Sequence, residues 1–164
     1  MDALERAGRL LERLALMLAL AGGGVLVAII AVATVSIVGR NLPFPFRVPG
    51  DVEIAQLGTA VAVFAFLPYA HLRRANVIVD VVTKGLPRRV RAALDFAANV
   101  LFLVVALVLL RQVALGFLEK LGNGDQSMVL RIPDWATHGL AVLSLGVLVI
   151  AILWSVARGL ARSD

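Results

Sequence analysis

The sequence predicts an all-α integral membrane protein of four transmembrane helices, and three observations carry that prediction. Hydrophobic residues make up 60% of the 164-residue chain and charged residues 16%, whereas a soluble domain is roughly half apolar and a quarter charged. The charges are clustered, leaving uncharged runs at Leu14–Gly39 (26 residues), Ile54–Ala70 (17), Phe96–Leu110 (15) and Trp135–Ala157 (23). A helix needs roughly 20 such residues to cross a hydrocarbon core of about 30 Å. Finally, the basic residues alternate in density from one connection to the next. With spans at 14–39, 54–71, 92–118 and 135–157, eleven Lys and Arg fall on one side and five on the other, counting Arg111 in the outer half of span three. The richer side is expected to be cytoplasmic, which places both termini inside. The chain is then one membrane domain, 1–164, with an inner loop at 72–91 and outer loops at 40–53 and 119–134.

This topology also accounts for the net charge of +5. The basic excess is an orientation signal, and no nucleic-acid partner is expected. The chain has no cysteine, so neither a disulfide framework nor a thiolate metal site can form. Ala19-Leu20-Ala21 before Gly22 has the small-residue form of a leader cleavage site. The apolar stretch preceding it is short, and an uncleaved first span is expected.

Ahead of span one, residues 3–13 place Leu4, Ala7, Leu10, Leu11 and Leu14 near one face, with Glu5, Arg6, Arg9, Glu12 and Arg13 mostly elsewhere. Two readings stand: an amphipathic helix lying in the interface, or a simple prolongation of span one. Within that span, Gly22-Gly23-Gly24 and Ala28 either admit a close-packed neighbouring helix or merely loosen the helix.

The connection "GRNLPFPFRVPGDVEIAQ" holds Pro43, Pro45 and Pro49 and reads as extended. Asp51 is the expected N-cap of span two. Arg40 and Glu53 fall at matching depth on adjacent spans and are expected to pair, because an unpaired ion at membrane depth is costly. Span four lies between Trp135 and Trp154, about 28 Å apart along a helix, so both indoles are expected as interfacial anchors. Pro133 fits its first turn.

Chemistry is thinly represented. His71 and His138 sit at opposite ends of their spans, about a bilayer thickness of ~30 Å apart, so they cannot ligate one haem iron. The polar residues at membrane depth are Thr34, Ser36, Gln56, Thr59, Asp95, Asn99 and Ser144. Asp95 and Asn99 share a helix face and could form a proton relay or ion site. Pairing of Asp95 with Arg91, one turn earlier, is the favoured reading. No carboxylate chain crosses the membrane and no glycine-rich phosphate loop is present. No enzymatic activity, cofactor or metal is expected.

The inner loop carries the most distinctive stretch, "PYAHLRRANVIVDVVTKGLPRRVRAALD". It resembles the inner-loop signature of the small membrane subunit, DctQ-like, of tripartite ATP-independent periplasmic (TRAP) transporters. That signature is a basic pair, a His-Val-x-Val-Asp segment, an apolar couplet and a Leu-Pro-basic turn. The matching residues here are Arg73, Arg74, Val77, Val79, Asp80 and Leu86-Pro87-Arg88. Two further stretches are similar: Arg40-Asn41 followed by Pro49-Gly50-Asp51-x-Glu53, and "SMVLRIPDW", residues 127–135. Asn76 stands where the family usually has histidine.

The resemblance implies a non-catalytic permease subunit of a sodium-coupled, binding-protein-dependent transporter for an organic acid. It implies a scaffold for a large multi-spanning subunit in the bacterial inner membrane, and help in docking a periplasmic binding protein. Arg47, Lys120, Asp125 and Arg131 on the outer loops are the expected docking residues. In the inner loop, Val77–Val82 is expected to dip into the interface or pack under the bundle. Asp80 would be held by Arg73, Arg74 or backbone N–H groups, and residues 84–91 would meet anionic lipid headgroups. Two other classes remain: a stand-alone homo-oligomeric channel or carrier, and the membrane anchor of an oxidoreductase.

Overall fold

The computed structural model of the protein describes residues 2–42, 46, 48–73 and 87–160. Four helices account for most of them: α1 (Asp2–Arg40), α2 (Asp51–Leu72), α3 (Arg88–Asn123) and α4 (Asp134–Leu160). Each contains a segment long and apolar enough to cross a membrane.

All four helices overrun the uncharged stretches that announce them. Charge-free runs mark only what lipid tolerates, whereas a helix continues through Arg, Lys and Glu, which are good helix formers. α3 therefore runs on past Glu119 and Lys120 and stops at Gly124, whose φ of 66° is left-handed and whose N–H returns to the Lys120 carbonyl at 3.1 Å. α1 is a single uninterrupted helix of 39 residues, so the segment 3–13 continues span one and is not a separate interfacial helix. The face it packs also differs from the one expected. Gly8, Leu11, Ala15, Ala19 and Gly22 are buried, whereas Leu10 and Leu14 are exposed.

The helices form an open row. α1 packs on α2, α2 on α4, and α4 on α3, with a smaller contact from α1 to α4. α4 is the keel of this arrangement. Its Leu145, Leu148, Val149 and Ile152 join Ala106 of α3 in the core, covered by Phe64 and Leu67 of α2 and by Phe102, Leu103 and Leu110 of α3. The α1–α2 contact is made instead by small residues. A Cβ on Gly22 would lie 3.0 Å from the Ala65 Cβ and 3.3 Å from the Ala62 carbonyl oxygen, while Gly23 and Gly24 face open space. Only one of the three glycines therefore serves close approach, as helix packing in lipid requires.

The α1–α2 and α3–α4 connections lie at the same end of the row, where a carboxylate at the start of α2 bonds to the second connection. We refer to this as the clamp end.

Candidate functional site

Three linked groups of polar side chains lie at the clamp end. In the first, Arg40 closes α1 and Asp51 opens α2. The fully buried Ser36 hydroxyl donates to Asp51 Oδ2 at 2.5 Å. Arg40 pairs with the same oxygen and donates to Ser36 Oγ at 3.2 Å. Asp51 is thus the first residue of α2 and the partner of Arg40, not the cap. The cap position belongs to Gly50, at φ 75° and without a side-chain capping bond. A side chain on Gly50 would be excluded on two counts, the left-handed backbone and a Cβ only 2.5 Å from Leu130 Cγ.

The expected Arg40–Glu53 pair is therefore replaced. Two residues is about half a turn of helix, so Asp51 and Glu53 point to different neighbours. Glu53 faces the α3–α4 connection, where Oε1 accepts the Val129 N–H at 2.9 Å and Oε2 accepts the Leu130 N–H at 3.0 Å. Such charge-assisted bonds are among the stronger ones available to a side chain.

The third group shapes that connection. Residues 125–134 form a tight hairpin-like loop: Gln126 bridges Pro133, the Ser127 N–H donates to Ile132 O at 2.9 Å, and the Asp134 N–H donates to Asp125 O at 3.0 Å. The Ile132 N–H returns to Ser127 Oγ at 3.1 Å. Arg131 turns the chain at φ 52°, uncommon for a residue with a side chain. Lys120, at the end of α3, reaches Asp125 at 3.2 Å and Asp134 at 3.1 Å and ties both loop ends to the helix. At the tip Met128 is 97% exposed and Val129 is exposed, while Leu130 lies over Gly50 at the start of α2.

At the opposite end, Arg73 meets Glu12 of α1 at 3.2 Å and lies over the Tyr69 ring, 5.3 Å from its centroid, with Nε donating to the Tyr69 hydroxyl at 3.1 Å. His71 stacks on Phe102 of α3 with ring centroids 5.3 Å apart. His138 sits one turn into α4, its Nδ1 3.0 Å from the Asp134 carbonyl oxygen. Among the described residues no three His, Asp or Glu side chains gather where a metal could be held.

Of the residues singled out from sequence, the structure brings Arg40, Glu53, Lys120, Asp125 and Arg131 to one end. Lys120 and Asp125 are already engaged with each other, and Arg131 is exposed. Trp135 is exposed beside them, whereas the Trp154 ring lies against Gly8 of α1. Arg47, Arg74, Asp80 and the run Val77–Val82 with Asn76 lie outside the described residues, as does the Asp95 side chain. Sequence reasoning missed the Ser36 and Lys120 bonds and the clamp between Glu53 and the loop. The available signal was that "PGDVE" and "SMVLRIPDW" stand out together; nothing in either string reveals that they touch.

Fold and polar groups define a multi-pass helical membrane protein whose described polar contacts join its own helices at their ends rather than converging on a reacting centre. The chain belongs to the family described as tripartite ATP-independent periplasmic transporters, DctQ component, whose model matches residues 29–162. It is thus a small permease component of a TRAP transporter. No curated protein and no solved structure gives a significant match.

Proposed function

We propose that this chain is the non-catalytic small permease subunit of a sodium-coupled transporter that takes up an organic acid delivered by a periplasmic binding protein. It stands as a fixed scaffold beside the large transport subunit in the bacterial inner membrane, with both termini in the cytoplasm and the clamp end outside. The observation that carries this reading is the exposure of α3. It is membrane-length and apolar, yet only 6% of its span is buried within the chain. A surface of that kind has lipid or another membrane protein as its neighbour. The chain's own polar groups are too few to conduct a solute. The hairpin tip and the exposed Arg131 are the surface offered to the binding protein, since Lys120 and Asp125 are already paired.

The test is to tag the chain, solubilise it gently and identify what accompanies it. Recovery of a large multi-spanning protein at equal stoichiometry is expected. Proteoliposomes of the pair should then show uptake that needs both a sodium gradient and the matching binding protein. A homogeneous homo-oligomer with no partner would overturn the proposal.

A further inference from the structure

A cleft of about 650 Å³ opens between α1 and α2 at the clamp end, lined by Ala33, Ile37, Arg40, Val52, Gln56 and Thr59 among others. Two of its lining residues, Ala33 of α1 and Ala55 of α2, are small. Its groups are ordered by depth. Arg40 and Asp51, at the helix ends, mark the mouth. Gln56 lies five residues further into α2, roughly 7.5 Å along the axis, and Thr59 roughly 12 Å. Ala33, Ile37 and Val52 supply an apolar wall.

Two features of this cleft are not explained by the fold. Gln56 and Thr59 are exposed in the 54–68 stretch of α2, which is otherwise apolar, and among the described residues no hydrogen bond engages either side chain. A polar group facing hydrocarbon without a partner is costly. Moreover, the bonds of Arg40 to Ser36 and Asp51 both use one terminal nitrogen. Nε and the other terminal nitrogen retain their donors, and the side chain is 43% exposed.

We propose that the cleft holds one glycerophospholipid from the leaflet at the clamp end. The headgroup layer is roughly 5–8 Å thick on each side of the hydrocarbon core. A phosphodiester at the mouth would therefore accept from the free Arg40 donors, while the glycerol ester carbonyls would fall at the depth of Gln56 and Thr59. The amide and hydroxyl would donate to those carbonyls, and an acyl chain would lie along the apolar wall. Asp51 already neutralises Arg40, so the phosphodiester is recognised through hydrogen bonds and an additional headgroup charge adds little. This site does not depend on the transport reading.

The test is native mass spectrometry of the full chain in mild detergent, titrated with dioleoyl phosphatidylglycerol, dioleoyl phosphatidylethanolamine, dioleoylglycerol or inorganic phosphate. Both phospholipids should bind one per chain with similar affinity, dioleoylglycerol about tenfold more weakly, and phosphate should not displace them. The Gln56→Leu/Thr59→Val double variant removes no internal hydrogen bond, should fold normally, and should lose about tenfold in phospholipid affinity. Arg40→Gln should lose headgroup discrimination, but it also disturbs the Asp51 pair, so the double variant decides. Equal binding of dioleoylglycerol, displacement by phosphate, or unchanged affinity in the double variant would overturn the site. So would expulsion of the lipid when a large subunit co-purifies, which would assign the cleft to a protein helix.

Discussion

α3 and α4 are similarly apolar, and a reader of the sequence would treat them alike. The structure does not. A third of the α4 span is buried among the other helices, with Leu145 and Ile152 fully enclosed, whereas 6% of α3 is. In water an apolar face is driven to bury itself, so apolarity predicts burial. In lipid that drive is absent, and position is set by packing shape and by polar bonds. α4 is central because its small and branched residues fit between two neighbours. α3 is peripheral because only one of its faces does so.

Substitution can break this contrast, and the largest effect is expected at the keel. Leu145→Ala opens a cavity where α4 meets α3 and should lower stability by about 3 kcal/mol, read from thermal unfolding in detergent. Leu101→Ala on the exposed face of α3 should leave the same midpoint nearly unchanged. Equal losses at both sites would mean that α3 is covered within the chain itself.

The clamp end should come next. Glu53→Ala leaves the exposed Val129 and Leu130 N–H groups to water and should show chiefly as faster proteolysis at residues 125–133. Glu53→Gln keeps one acceptor oxygen and should fall between the alanine variant and wild type. Unchanged proteolysis in both would show that the loop holds its shape without the carboxylate.

The glycines sharpen the point within a single helix. Gly22→Val meets Ala62 and Ala65 and should destabilise by about 2 kcal/mol, while Gly24→Val, which faces open space, should stay within about 0.5 kcal/mol. Smallest of all is Glu12→Gln. The Glu12–Arg73 pair is half-exposed on both sides, and its loss should shift unfolding by less than about 1 kcal/mol.

What was legible in the sequence follows the same physics. The four spans were readable because lipid excludes charge regardless of neighbours, a property of each segment alone. Helix ends were less so, because capping geometry at Gly50 and Gly124 depends on local backbone angles. Partners were least legible. Arg40 was recognised as an ion needing a counter-ion, yet depth alone could not separate Asp51 from Glu53, which lie on different sides of one helix turn. The clamp from Glu53 joins residues more than seventy positions apart, and its acceptors are met by backbone groups that carry no side-chain signature.

The length of α1 has a mechanical consequence. At 39 residues it is about 58 Å long, and it is fastened near both extremities. Ser36 and Arg40 hold one end to Asp51, while the packing of Gly8 beneath Trp154 holds the other. A stiff rod pinned twice cannot slide along its neighbour without releasing both pins together. α1 therefore works as a tie-rod that fixes the spacing between the two faces of the subunit.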